Sequence, residues 1–200
     1  VARAQVPPKG AVVITDPAGV KALAHPARLA VIDVLYAGEI LTATQCAEIA
    51  GISPSAMSYH LRALEKHGIV VRADATGDGR ERPWMRAGDT LSSSIGRPGA
   101  GGSKGAQVAA GLLVDQALGL DAERLHTAMA ADAEDSDGVW SKTTTYNRDL
   151  LALTPEEARE VAEAINSVIA PYLVERRRGR KRPDGAATFG FSFLVARVPD

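Results

Sequence analysis

The 200-residue chain has a single cysteine, Cys46, so no intramolecular disulfide can form. That suits a reducing compartment, and a cytoplasmic protein is expected. Aromatic residues make up only 4%, so Ala, Leu, Val and Ile must fill most of the core. No run of about 18 apolar residues occurs, and the N-terminus shows no charged–apolar–small pattern. Neither a membrane span nor a secretion signal is expected. Net charge is also lacking: the total is -1. Residues 1–100 carry 11 Lys/Arg against 9 Asp/Glu, and residues 101–200 carry 12 against 15. A histone-like polycation is excluded, but a local basic face is not.

Catalytic signatures are missing as well. "GAGGSKG" has glycines but neither the preceding strand nor the lysine spacing of a phosphate-binding loop. Gly-x-Ser-x-Gly and His-Glu-x-x-His do not occur. The pair Glu156–Glu157 is explained by the favourable placement of acids at a helix N-terminus. The expectation is a protein that is not an enzyme and carries no cofactor.

What is present is 46% hydrophobic residues, enough for a packed core. Residues 1–11 are aperiodic and read as a mobile arm. Asp16 and Pro17 open a helix as N-cap and first helical residue. A second helix carries Leu29, Ile32, Leu35 and Tyr36 at helical spacing and stops at Gly38. Thr42 and Gln45 stand in capping-box spacing ahead of a shorter helix that ends at Gly51. Ser53 and Pro54 then start "SPSAMSYHLRALEKHG". Two short helices joined by "GIS" make a helix-turn-helix. "IVVRADATGDGRERPWMRAG" alternates, turns at "TGDG" and resumes, which predicts a hairpin.

Residues 89–105, rich in Gly and Ser, read as a flexible linker. Helices are expected over about 106–133 and from Pro155, the latter with Thr154 and Glu157 as a capping box and Val161, Ile165, Val168 and Ile169 as a buried stripe. "ERRRGRKRPDG" is a basic loop, with six basic residues in 176–182 that read as a solvated turn or an accessory phosphate contact. "ATFGFSFLVARV" places Phe189, Phe191 and Phe193 on one face at period two, the pattern of a terminal strand.

The second helix of the pair carries the functional signal. At roughly 100° per residue, Met57, Leu61, Leu64 and Gly68 share its inner face. Ser55, Ser58, Tyr59, Arg62 and Lys66 share the outer one. That outer face is short-polar, aromatic and basic, where an ordinary solvated helix mixes Glu with Lys. Small hydroxyls permit close approach to a groove, the helix N-terminus attracts phosphate, and arginine can pair bidentately with guanine. Arg80 and Arg82 in the hairpin tip could reach a minor groove or phosphates.

His25, Pro26 and Arg28, followed by Ser58, His60, Leu61, Leu64, Gly68, Ile69 and Val70, form a pattern that resembles the winged helix-turn-helix domain of ArsR-type bacterial transcription regulators. The resemblance covers about residues 15–90. It implies a homodimer that binds a palindromic operator in double-stranded DNA, usually as a repressor. It places DNA contacts on Ser53, Ser55, Ala56, Ser58 and Tyr59, with Arg62 behind. Thr42, Thr44 and Gln45 become phosphate contacts, and His60 a structural or phosphate-facing residue. The chain departs from the family's metal sensors. Cys46 stands alone on an apolar face and reads as core, and the Glu123–His126 pair as a solvated helix face, so no metal is expected.

The expected fold is mainly α with a small β part. A winged helix-turn-helix domain over 12–88 precedes a helical dimerisation and effector region over 106–200 that ends in a strand. A small-molecule effector is left open as a partner. Two other functions stay open: a winged-helix protein-interaction module without sequence-specific DNA binding, and a metal-responsive sensor.

Overall fold

The computed structural model describes residues 10–74, 82–93, 103–134, 138–140, 143–173 and 183–198. Residues 1–9 of the expected arm, the wing turn with Arg80, most of the Gly/Ser stretch and the basic loop lie outside these residues. The chain divides into two compact units, the first reaching to Leu120 and the second beginning at Asp121. No helix among the described residues is long and apolar enough to cross a membrane.

The first unit starts with strand β1 (Ala11–Ile14) and continues through helices α1 (Pro17–Leu23), α2 (Pro26–Ala37), α3 (Ala43–Ala50) and α4 (Pro54–Lys66). Each start has a local cause. Asp16 Oδ1 accepts the Gly19 N–H at 2.8 Å, and His25 Nδ1 accepts that of Ala27 at 3.2 Å. Thr42 and Gln45 exchange the two bonds of a capping box. Ser53 Oγ accepts the Ala56 N–H at 3.3 Å. Each cap satisfies a backbone donor that the helix leaves unpaired, worth about 1 kcal/mol. Gly51 ends α3 at a φ of +64°, a conformation that costs glycine little. The Ile52 N–H then returns to the Ala47 carbonyl, and the chain turns into α4.

Strands β2 (Val70–Arg72) and β3 (Trp84–Arg86) pair antiparallel, with Val71 opposite Met85. Leu41 adds a bridge to Trp84, each residue's N–H donating to the other's carbonyl. This is the sheet of a winged helix. The core lies where the helices meet it: Val20, Val31, Leu35, Cys46, Met57, Leu61, Leu64, Ile69, Val70 and Trp84 are all fully buried. Burying each large aliphatic side chain contributes about 1.5–3 kcal/mol. Helix α5 (Lys104–Glu134) packs Ala109 into that core.

The linker expected over 89–105 does not hold over its first residues. Thr90–Ser93 form strand β4, paired parallel to β1 from Ala11↔Thr90 to Ile14↔Ser93. Hydrogen bonds tie the two strands together at their start: the Asp89 N–H donates to the Gly10 carbonyl at 2.6 Å, and the Gly10 N–H donates to the Asp89 carboxylate at 3.2 Å. Gly88 permits the approach, since a Cβ there would stand 2.6 Å from the Gly10 oxygen. Ala11, taken as the end of the arm, is the first residue of β1.

The second unit holds the rest of α5, helix α6 (Pro155–Ile169) and a 3-10 turn (Ala170–Tyr172). Thr154 and Glu157 form the expected capping box, and the backbone hydrogen bond from Thr154 holds the Glu157 carboxyl below its ordinary pKa. Two expectations fail here. Residues 186–198 form no strand. Trp140 meets Phe189 edge-on at 5.7 Å, but Phe189, Phe191 and Phe193 stay exposed. The stripe on α6 is not buried either: Val168 is 69% exposed, and no residue of the helix is fully covered.

Candidate nucleic-acid interface

Helix α4 is fastened on one side and open on the other. Met57, Leu61 and Leu64 are fully buried. Ser53, Ser55, Arg62 and Lys66 are exposed, Ala56 and Ser58 half-buried, and Tyr59 is 65% exposed. An aromatic ring left that open on a well-packed helix gains nothing from the core. Around it the hydroxyls are partly organised, with Ser53 Oγ 3.1 Å from Ser55 Oγ. Arg62 Nε–H donates to the Ser58 carbonyl at 3.0 Å, which uses one of the five guanidinium donors and steers the rest along the helix. The structure thus brings Ser53, Ser55, Ser58, Tyr59, Arg62 and Lys66 onto one exposed face.

Thr42, Thr44 and Gln45 lie together at the start of α3, with Thr44 and Gln45 exposed. The capping box engages Thr42 Oγ1 and Gln45 Oε1 as acceptors. Their remaining polar hydrogens, the Thr42 hydroxyl and the Gln45 amide, are donors suited to a phosphate oxygen. Arg82 is exposed beside β3, and Arg80 lies outside the described residues.

Sequence reasoning missed Arg72. Its guanidinium carbon lies 3.7 Å from the Trp84 ring centroid, and its Nη1 donates to the Arg82 carbonyl at 2.7 Å. Such stacking is worth about 0.5–1 kcal/mol at an exposed site and fixes a cation at the base of the wing. A signal was present, since Arg72 and Trp84 stand equidistant from Asp78 in the predicted hairpin. Arg86 was missed too. It is buried, with Nη2 3.2 Å from Asp89 Oδ1, and so links the wing to the β1–β4 junction.

Cys46 is fully buried, and burial pushes its thiol up to about 11. A thiolate is the form that reacts and binds metal. Cys46 is therefore expected to resist a thiol-reactive dye in the native protein and to react at once in denaturant; labelling kinetics check this. Among the described residues, no three His, Cys, Asp or Glu side chains gather as a metal site. An open groove of about 530 Å³ runs between α1 and the start of α5, with Ala18, Val108 and Leu112 on its walls and Lys21 and Lys104 beside them.

Comparison with curated proteins finds no match. A family model described as a helix-turn-helix domain matches residues 23–73, about a quarter of the chain. The matched span runs from the end of α1 through α4 to β2, so the chain carries a helix-turn-helix domain of the kind that DNA-binding regulators use.

Proposed function

We propose that the protein is a sequence-specific transcription regulator, acting as a repressor of the ArsR type, that binds a palindromic operator as a homodimer. Helix α4 enters the major groove and the wing follows the neighbouring backbone. The observation that carries this reading is the outer face of α4: Tyr59 stands exposed among small hydroxyls and Arg62 on a helix whose other face is fully buried. Thr42, Thr44 and Gln45 at the start of α3, together with Arg72 and Arg82, serve as backbone contacts that set register.

The test is selection from fragmented genomic DNA of the source organism. Bound fragments should share an inverted repeat, and the Tyr59→Ala/Arg62→Ala protein should recover none of them. Enrichment without a shared motif, or none at low salt, counts against the reading.

Dimerisation is supported by apolar side chains left uncovered. Val108, Leu112, Val114 and Leu118 on α5 are exposed, and none of the described residues from Asp121 onward is fully buried. A unit that covers no side chain of its own gains its hydrophobic stabilisation from a second surface. Light scattering after size exclusion is expected to give twice the chain mass of 20.9 kDa at micromolar concentration. A monomer under those conditions overturns the homodimer.

A further inference from the structure

The reading helix is joined to the first two helices through a pair of imidazoles. His25, at the α1–α2 junction, caps α2 through Nδ1. His60 projects from α4, and the two ring centroids are 4.3 Å apart at an interplanar angle of 44°. Arg28 spans the junction: its Nε–H donates to His60 Nδ1 at 3.1 Å, and its Nη1 donates to the Ala22 carbonyl of α1 at 2.8 Å. Tyr59, at the centre of the outer face, meets the His60 ring edge-on at 5.7 Å. One guanidinium thus holds α1 and α4 together, one residue away from the most exposed aromatic of the interface.

Both imidazoles accept through Nδ1, which only the neutral ring with its proton on Nε2 can do. A proton added to His25 removes the cap of α2. A proton added to His60 sets N–H against N–H and places a second cation beside Arg28. With the ring centroids only 4.3 Å apart, protonating one also disfavours protonating the other.

We propose that His25, Arg28 and His60 are positioning residues that hold the reading helix for DNA only while both imidazoles are neutral, so that acidification releases the helix and weakens DNA binding. This rests on the DNA-binding reading above. The charged group acting on the pair is Arg28 from α2; Tyr59 from α4 acts on Arg28 in turn and meets the His60 ring edge-on. Burial lowers the pKa of His25, with Arg28 adding to it. Burial also lowers that of His60, followed by His25 and then Arg28. The seated helix therefore binds protons less readily than the released one. Its advantage is complete above the ordinary value of 6.5 and is lost as pH falls below it toward the lowered values. His67, at the far end of α4, lies 4.0 Å from Asp16. It is common to all proteins compared, so its effect cancels.

The direction makes the test sharp. Added positive charge tightens non-specific DNA binding, whereas helix release loosens specific binding. Asparagine keeps an acceptor near the Nδ1 position and cannot be protonated. The full-length protein and His25→Asn/His60→Asn would be titrated with the fragments selected at pH about 7.5, and again at about 5.5, a span that brackets the ordinary histidine value. Wild-type affinity should fall by about tenfold or more, the protonation ratio an ordinary imidazole reaches at about pH 5.5, while the double variant stays level. Unchanged or tighter wild-type binding at low pH overturns the proposal, as does an equal loss in the double variant. His60→Asn alone serves if the double variant does not fold.

Imidazole 15N and Leu61 and Leu64 methyl NMR without DNA separates this failure from that of the DNA reading. If no fragment binds at any pH, the DNA reading falls. Methyl shifts that follow imidazole titration in the wild type alone still support helix release, and methyl shifts indifferent to it overturn that as well.

Discussion

Trp84→Ala is expected to lower the unfolding free energy of the first unit by about 3–5 kcal/mol. Trp84 is fully buried, exchanges two backbone hydrogen bonds with Leu41, lies opposite Arg72 and carries that guanidinium on its ring. Truncation empties the space beneath the wing and removes the surface that fixes Arg72. Domains of this size are stable by about 5–15 kcal/mol, so the loss takes a large share of the total. Urea unfolding followed by circular dichroism measures it. Trp84→Phe is the control. The indole Nε1 is buried and has no hydrogen-bond partner among the described residues, so removing it leaves no other group unpaired. Phenylalanine should therefore retain most of the stability that alanine loses.

The second large effect falls on binding and leaves stability alone. Tyr59→Ala/Arg62→Ala is expected to weaken operator affinity by about 10²–10⁴-fold, taking about 1–3 kcal/mol for each lost contact. Both side chains are exposed, so the unfolding midpoint in urea should barely move. Removing Arg62 should also lower the salt slope by about one if it grips a phosphate, and leave it unchanged if it reads a base. Fluorescence anisotropy with the selected fragment across a salt series separates these cases. Equal affinity of wild type and variant places the binding surface elsewhere.

The residues behind these two predictions differ in how openly the sequence announces them. Tyr59 and Arg62 lie on a helix whose cap, Ser53, and inner face, Met57–Leu61–Leu64, are read from spacing alone, so the outer face follows from rotation by 100° per residue. The caps at Asp16, Thr42 and Thr154 were legible for the same reason, since each is settled within four residues. Trp84 and Arg72 depend on hairpin register, one level further from the local pattern. The pairing of β1 with β4 was not legible at all. "TLSS" is short and polar, its glycine-rich surroundings suggest a connector, and its partner lies 79 positions earlier. The opposite error occurred at Phe189–Phe193, where period-two alternation did not produce a strand. The contact between His25 and His60 was hidden for a related reason: both belong to recognisable motifs, but only the packing of α2 against α4 brings their rings together.

The β1–β4 ladder also bears on how the winged unit comes into being during synthesis. A hairpin can close as soon as its second strand emerges, whereas this parallel pair must wait for Ser93, which joins Ile14 only after the four helices and the wing are made. Pairings so distant in sequence slow folding, because the loop must close before the contact is gained. Until then Ile14 lacks its partner in the ladder. A nascent chain stopped at residue 88 therefore holds helices α1 to α4 and still lacks both the strand that pairs with β1 and the α5 segment that adds Ala109 to the core.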